Sequence, residues 1–448
     1  MSKKEFKNSA AKKRLSDDEL LDLVQQQTLK YVWDFGHPAC GMVRERSNAD
    51  SPAFPYDLDT VTTGGTGFGI MAMIAGAERG FLEKDDIRNR IDKIADFLEK
   101  ADKFHGVFPH FLNGKTGKTV AFSEKDDGGD LVETSFLMMG LLTARQYFSG
   151  DTPEETALRD KINKLWESVE WDWHTTADPE KLMWHWSPNH GFDIGLPLEG
   201  WNEALVTHVL AFSSPTHPVD KKIYDEHWTS GAHFKNGQDY DGIELPLGPP
   251  GGGPLFFAHY SFMGISPKDL HDKHADYWEQ NRNHTLINRA HCIKNPHGYE
   301  GYGENCWGLT AGDNHEGYAA HSPTEDKGVI APTAALSSMP YTPKESMEVL
   351  RHLYDDLGDK LWGEYGFHDG FNETEDWYAD SYLAIDQGPI AVMIENHRSG
   401  LLWDLFMSCP EVKHGMKGMD FSSPYLDDTL TDNPEHKTTP ARKPPKPS

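Results

Sequence analysis

Gly67-Phe-Gly-Ile-Met-Ala-Met-Ile-Ala-Gly-Ala-Glu-Arg-Gly80 is followed closely by Asp86-Ile-Arg-Asn-Arg-Ile-Asp-Lys-Ile-Ala-Asp-Phe-Leu-Glu-Lys100, and this pair of segments decides the fold. The first segment is apolar on almost every side, which predicts a helix surrounded by protein. The second places apolar residues at helical spacing among charged ones, which predicts a helix with one buried face. A fully buried helix followed by a half-buried one indicates an inner and an outer layer of helices.

The same alternation recurs along the chain, where the predicted helices cover 130–147 and 154–169, 202–212 and 220–228, and then 267–281, 331–339, 343–357 and 389–406. A capping box at Ser16–Glu19 begins one further helix at the N-terminal end. About twelve helices joined by long loops predict an all-α protein, an (α/α)6 barrel whose loops form a cleft. A solenoid of helix pairs is the alternative architecture, but it requires a fixed repeat length that the sequence does not show.

Biased composition is confined to the two ends of the chain. Residues 1–15 are rich in lysine and are predicted to be a flexible tail, and residues 432–448 are a Pro/Lys-rich segment predicted to be disordered. Between these two tails the sequence contains no linker. Residues 16–431 are therefore predicted to form a single barrel domain that carries the activity.

Charge and composition restrict the partners. The 448 residues include 43 basic and 71 acidic side chains, which gives a net charge of −28. This charge disfavours nucleic acid and anionic membrane surfaces, because both require clustered Lys and Arg. The mean hydropathy of −0.64 excludes a membrane-spanning protein. We therefore predict a monomer that binds a neutral, hydroxyl-rich ligand.

The sequence lacks the usual motifs for metal binding, disulfide formation and export. Its four cysteines form neither a disulfide framework nor a C-x-x-C pair, and no H-E-x-x-H motif occurs. We therefore predict no metal and no organic cofactor. The N-terminus lacks an apolar signal region, which predicts a cytoplasmic protein, or a periplasmic or secreted one if an export signal was removed.

The first candidate for catalysis is Asp126-Asp-Gly-Gly-Asp130-Leu-Val-Glu133, where four carboxylates crowd the start of a predicted helix and Asp126, Asp130 and Glu133 are the candidate catalytic residues. Crowded carboxylates push one another's pKa values apart, as acid/base catalysis requires. Asp130 and Glu133 also have the spacing of a helix-capping pair, so a purely structural role is the alternative.

The second candidate is Glu203, in Leu198-Glu-Gly-Trp-Asn-Glu203-Ala-Leu205. Glu203 is predicted to enter an apolar helix, where burial would raise its pKa and keep it protonated. Glu199 would add like-charge repulsion if the helix extends that far back. The alternative is an acidic residue in the first turn of a helix, on a solvated face.

Ligand-binding candidates are aromatic and polar side chains in or beside the loops. Sugar rings present apolar C–H faces that stack on aromatic rings, while their hydroxyls bind polar groups, although many such aromatics are simply core. The predicted substrate-binding residues are Arg46, Trp201, Asn202, Phe256, His259, Tyr302, Trp307, Trp377 and Asp386.

Several of these segments together resemble a known family. They are Tyr31-Val-Trp-Asp-Phe-Gly-His-Pro38, Arg44-Glu-Arg-Ser47, the glycine-rich run 63–69, Gly252-Gly-Pro-Leu-Phe-Phe-Ala-His-Tyr-Ser261, Trp307-Gly-Leu-Thr-Ala-Gly312 and Asp386-Gln-Gly-Pro389. Between about Tyr31 and Phe421 the chain resembles the bacterial glucoamylase-like domain. That family includes the endo-β-1,2-glucanases of glycoside hydrolase family 144, and a related domain occurs in cyclic β-1,2-glucan synthases.

The resemblance implies an (α/α)6 barrel and an anomer-inverting hydrolase of β-1,2-glucan or its sophoro-oligosaccharides. The family's acidic set maps onto Asp126, Asp130 and Glu133, and its W-N-E glutamate maps onto Glu203. We predict that Glu203 is the general acid and that one of the other three activates water. The carboxyl groups of such a pair should lie about 6.5–9.5 Å apart.

Other functions fit the same residues. The family also leaves open exo action and transglycosylation. A polysaccharide lyase would need a Tyr or His base, for which His259 and Tyr260 are available. A non-catalytic glycan-binding protein would use the carboxylates only to bind hydroxyls.

Overall fold

Thirteen α-helices dominate the described residues, which are 14–48, 57–176 and 180–427 of a computed structural model. They are α1 Asp17–Trp33, α2 Thr63–Glu78, α3 Lys84–Lys100, α4 Leu131–Tyr147, α5 Pro153–Glu167, α6 Leu205–Ser213, α7 Tyr277–Lys294, α8 Pro332–Leu336, α9 Pro343–Arg351, α10 Gly358–Leu361, α11 Ala384–Arg398, α12 Leu401–Met407 and α13 Pro410–Gly418. Two π-helical turns, Ile223–Trp228 and His352–Asp356, lie between them.

The helices form two layers. α11, α2, α4 and α6 pack against one another in that order and are buried on nearly every side. α1, α3, α5 and α13 pack outside them, and α3 buries only the face that carries Ile87, Ile91, Ile94 and Leu98. The predicted all-α (α/α)6 barrel is confirmed.

Glycine allows the inner helices to cross closely. A Cβ atom on Gly67 of α2 would lie 2.1 Å from the Phe136 carbonyl oxygen, and one on Gly140 of α4 would lie 2.2 Å from the Gly67 carbonyl oxygen. The two backbones therefore touch, which brings the start of α4 against the start of α2. This contact places Glu133 beside Gly64, one turn before Gly67.

Several predicted helix boundaries are wrong. The helix expected at 267–281 is α7, which begins at Tyr277 because the Asp276 side chain caps it. The helix expected at 389–406 is two helices, broken at Gly400 (φ 78°), with Pro389 inside α11. The helix expected from 202 begins at Leu205, because the Asn202 side chain accepts a hydrogen bond from the Ala204 N–H and holds a turn.

Six small antiparallel sheets support the loops in the described ranges. Their strands are β1 Thr60–Thr62, β2 Phe111–Asn113, β3 Thr119–Val120, β4 Gly129–Asp130, β5 His185–Trp186, β6 Lys235–Tyr240, β7 Ile243–Leu247, β8 Ala311–Asn314, β9 Gly317–Ala320, β10 Trp362–Gly363, β11 Gly366–Phe367, β12 Phe371–Asn372 and β13 Trp377–Tyr378. In the β4–β5 pair, Asp130 is opposite His185.

The ends of the chain are described only in part. The expected tail 432–448 lies outside the described residues, as do residues 1–13 of the expected tail 1–15. Arg14 is described, and its Nε lies 3.4 Å from Asp355 Oδ2. Among the helices of the described ranges, none has the length and apolar character needed to cross a membrane.

Candidate active site

A cavity of about 280 Å³ brings together carboxylates and aromatic rings from distant parts of the chain. Its acidic residues are Glu45, Asp130, Glu133 and Glu203, and its rings include His110, Phe111, Phe122, Trp184, Phe256, Tyr260 and Tyr318. The strands β1, β2, β8 and β9 contribute to the walls, and the first turn of α4 contributes Val132 and Glu133.

Asp130 caps α4 and also reaches the cavity. Its Oδ1 accepts a hydrogen bond from the Glu133 N–H at 2.9 Å, so the predicted capping pair is confirmed. Because the cap fixes the first turn of the helix, it also fixes the point from which the Glu133 side chain extends into the cavity. The capping role and the placement of both carboxylates at the cavity are thus compatible.

Two histidines hold the other oxygen of Asp130. Its Oδ2 lies 3.2 Å from His110 Nδ1 and 3.4 Å from His185 Nε2. Burial alone would raise the pKa of Asp130, but hydrogen bonds from both imidazoles hold it well below the usual range. Both oxygens of this ionised carboxylate are therefore occupied by donors.

The histidines are charged by the same contacts. Burial opposes the charge of His110, but Glu133 and Asp130 raise its pKa to about 9. Burial likewise opposes the charge of His185, but hydrogen bonds to Asp126 and Asp130 raise its pKa to about 10. Asp126 Oδ2 lies 3.3 Å from His185 Nε2. Asp126 itself is not among the residues that line the cavity.

His110, Asp126 and Asp130 also offer ligand atoms within 4.8 Å of one another, which is close enough for a metal ion. A protonated imidazole donates from both nitrogens and has no lone pair to give a metal. His110 would therefore have to release a proton before its imidazole could bind a metal ion here.

Glu133 keeps one oxygen directed at the cavity. Its Oε2 accepts a hydrogen bond from the Gly64 N–H at 2.7 Å, whereas Oε1 lies 3.9 Å from His110 Nε2. Burial, with a contribution from the Asp130 charge, raises the pKa of Glu133 to about 7 against the opposing charge of His110.

Glu203 lies in the turn before α6, at the cavity wall. Burial, with contributions from the charges of Asp130 and Glu133, raises its pKa to about 7. The predicted direction and its main cause, burial, are confirmed, but the expected contribution from Glu199 is wrong. Glu199 is paired with Lys181 Nζ at 2.6 Å, and the helix does not extend back to it. The repelling charges come from the carboxylates of the same cavity.

Two of the predicted binding residues reach the cavity, Arg46 and Phe256. Arg46 donates to both oxygens of Asp313, at 3.2 and 3.1 Å, so its charge is paired on one side. Asp386 is buried beside Asp369, and burial together with the Asp369 charge raises the pKa of Asp386 well above its usual range. Asp386 does not line the cavity.

The remaining predicted binding residues lie elsewhere. Trp201 is buried and packs on Trp228 at 5.8 Å between ring centroids, and Asn202 serves the turn described above. His259 is buried, with Nε2 2.8 Å from Ser338 Oγ, and burial lowers its pKa to about 3. Trp201 and His259 were expected to contact the ligand because they lie in loops beside motifs, but both side chains pack into the core.

The last three predicted binding residues are Trp307, Tyr302 and Trp377. Trp307 is buried in a second core cluster, and the Tyr302 hydroxyl donates to Asp326 Oδ1 at 2.8 Å. Trp377 lines a separate open groove that includes Asp313.

Residues that the sequence did not indicate supply much of the cavity wall. Phe122 is 49% exposed and Tyr318 is 44% exposed, although both are large aromatic residues. Phe122 stacks on His110 with ring centroids 4.6 Å apart. The one signal available in the sequence for Phe122 was an aromatic residue directly before the polar stretch Ser123–Asp126.

Comparison with known proteins places the chain in a family. Residues 195–410 match the Glycoamylase family model, which describes a glucoamylase. The solved structure of an endo-β-1,2-glucanase from Chitinophaga pinensis, in complex with sophorotriose and glucose, is 50% identical. It superposes with a TM-score of 0.89 and covers 92% of this chain and 100% of its own. The chain belongs to the glucoamylase-like family. The family predicted from the motifs is therefore confirmed.

Two further proteins are similar to this chain at lower sequence identity. An exo β-1,2-glucooligosaccharide sophorohydrolase (non-reducing end) from Parabacteroides distasonis is 45% identical over 430 residues, or 91% of this chain. The chain spans 59% of the length of that curated protein. An endo-β-1,2-glucanase from Talaromyces funiculosus is only 11% identical, with a TM-score of 0.63 over 90% of this chain and 88% of its own, and shares the fold.

Proposed function

We propose that this glucoamylase-like protein is a glycoside hydrolase that cleaves β-1,2-glucan or its oligosaccharides by inverting acid/base catalysis. The observation that carries the proposal is that Glu133 and Glu203, from distant parts of the chain, line one cavity together with aromatic rings. The names of the Chitinophaga and Parabacteroides relatives support the substrate.

Glu203 is the proposed general acid. A glycosidic bond breaks readily only if the leaving oxygen receives a proton, so the acid must be protonated at working pH. Burial and two neighbouring carboxylates keep the Glu203 proton in place up to about pH 7.

Glu133 is the proposed base, in preference to Asp126 and Asp130. Both oxygens of Asp130 are occupied, and Asp126 lies behind His185 and outside the cavity. Glu133 has Oε1 available for a water molecule, while the Gly64 N–H holds Oε2. Asp130 and the two imidazolium ions then act by positioning Glu133 and setting its charge.

The substrate is tested by incubation with linear β-1,2-glucan beside β-1,3-, β-1,4- and α-1,4-glucans, with chromatography of the products. We expect sophoro-oligosaccharides or sophorose from the first polymer alone. Turnover of another glucan without turnover of β-1,2-glucan would overturn the substrate, and disaccharide-only product would indicate exo action.

The alternative functions give different products. A lyase would release unsaturated sugars that absorb in the ultraviolet, and its base would have to be Tyr260, since His259 is buried and paired with Ser338. A transglycosylase would form longer or cyclic glucans with no net gain in reducing ends. A glycan-binding protein would release nothing.

The aromatic walls predict a binding effect. Tyr318→Ala and Phe122→Ala should each raise KM for the glucan by about fivefold, because a lost ring–sugar contact costs roughly 1 kcal/mol. The change in kcat should be smaller. The control is Phe192→Ala, since Phe192 packs on Trp173 and does not line the cavity. An equal rise in KM for the control would show that the effect is not local.

The raised pKa of Glu203 predicts a cost in stability at alkaline pH. The folded state binds the Glu203 proton up to about pH 7, whereas an unfolded Glu releases it near its ordinary pKa of 4.5. Stability contributed by this proton is therefore lost as pH rises through about 7. Glu203→Gln should melt a few degrees above the wild type at pH 8, equivalent to roughly 1–3 kcal/mol, with a smaller difference at pH 5. Thermal denaturation at pH 8 and at pH 5 measures these two differences in melting temperature. The control Glu124→Gln, at an exposed residue, should melt with the wild type at both pH values. A pH-independent difference would contradict the assignment.

A further inference from the structure

Three potential metal ligands meet outside the cavity, beside the second core cluster, to which Cys306 belongs. The Cys306 thiol, the His352 imidazole and the Glu373 carboxylate each offer an atom within 4.8 Å of the other two. Thiolate, imidazole and carboxylate are the three donors from which proteins build zinc sites. We propose that Cys306, His352 and Glu373 bind a zinc ion that ties three loops of the barrel together.

His352 is already oriented as a zinc ligand. Its Nδ1 lies 2.8 Å from Asp356 Oδ2 within the π-helical turn His352–Asp356. When Nδ1–H donates to a carboxylate, Nε2 carries the lone pair and points away from it. Proteins use this carboxylate–histidine arrangement to fix the tautomer and direction of imidazoles that bind zinc. Single π-helical turns are also frequent at functional sites.

Cys306 is the ligand that gains most from a cation. It is 3% exposed, and within the described ranges it forms no disulfide. A divalent cation would stabilise the thiolate form of Cys306 and neutralise the charge of Glu373. Binding would release the thiol proton to solvent.

The three ligands come from segments far apart in sequence, so their spacing forms no motif. Cys306 ends the loop before Trp307, His352 begins the π-helical turn, and Glu373 lies in the turn between β12 and β13. A shared ion would cross-link these long connections, where closure of a large loop is most stabilising. None of the three lines the cavity, so the site would act on stability and not on the reaction.

The test uses the full chain, stripped with a chelator and then given zinc or cobalt chloride alone. We expect one equivalent of zinc to be retained after gel filtration, as measured by elemental analysis. We also expect a rise in Tm of about 3 °C when zinc is in hundredfold excess over its Kd. Cobalt should give the sulfur-to-metal charge-transfer absorption that only a thiolate ligand produces.

Two variants and one control separate the site from non-specific binding. Cys306→Ser should abolish the cobalt absorption, and His352→Gln, on a half-exposed turn, should lose retention without unfolding the protein. The control Cys292→Ser removes another buried thiol of the same core and should retain zinc. Retention of less than half an equivalent by the wild type, or equal retention by His352→Gln, would overturn the proposal. Glucan hydrolysis should be the same with and without zinc, so this result is independent of the proposed function.

Discussion

Glu203→Gln should lower kcat on β-1,2-glucan by at least about 10²-fold, the lower end of a general-acid contribution. Glutamine keeps the volume and hydrogen bonds of the side chain but has no proton to deliver. The proton matters because Glu203 is held protonated by burial and by the charges of Asp130 and Glu133. Binding of sophoro-oligosaccharides, measured by calorimetry, should change little.

Two comparisons make this test specific for proton donation. An aryl glycoside with a good leaving group needs no protonation, so the variant should lose far less activity on it than on the glucan. The matched control is Glu199→Gln, four residues earlier, because Glu199 is paired with Lys181 and does not line the cavity. A Glu203→Gln enzyme that hydrolyses the glucan at close to the wild-type rate would show that the acid lies elsewhere in the cavity.

Glu133→Gln should lower kcat by roughly 10²–10⁴-fold, the range for loss of a positioned base. The variant retains the hydrogen bond from Gly64 in principle, but its amide cannot take a proton from water. Unlike the acid variant, it should be equally impaired on the aryl glycoside, since water must still be activated.

Asp126→Asn is the matched control for the base. Asp126 belongs to the same acidic run but contacts His185 from outside the cavity, so its loss should act only through His185. We expect a loss well below that of Glu133→Gln. If Asp126→Asn is the more damaging of the two, with binding intact, the base assignment is wrong and water is activated from the Asp126 side.

The layered helices could be predicted because each carries its own pattern. α2 is apolar all round and α3 is apolar on one face, and these patterns depend only on neighbours along the chain. The same applies to the cap formed by Asp130 and Glu133, which are three residues apart. The direction of the Glu203 pKa shift was predictable from apolar neighbours, but its like-charge contribution depends on α4, some 70 residues earlier.

The rest of the cavity depends on contacts that have no local signal. His185 reaches Asp130 only because β5 pairs with β4, and Tyr318 reaches the cavity on the β8–β9 hairpin. An aromatic residue in a loop can equally pack inward, as Trp201 and Trp307 do. Composition therefore predicted a sugar-binding cleft but not which rings form it.

The most direct test of the account is the configuration of the first sugar released from linear β-1,2-glucan, followed by proton NMR before the anomers equilibrate. Single displacement by water, activated at Glu133 and assisted by the acid Glu203, inverts the β-linkage. We therefore predict that α-anomeric reducing ends appear first and that the β-anomer follows by mutarotation. Initial release of the β-anomer, or no release of reducing ends, would contradict the account.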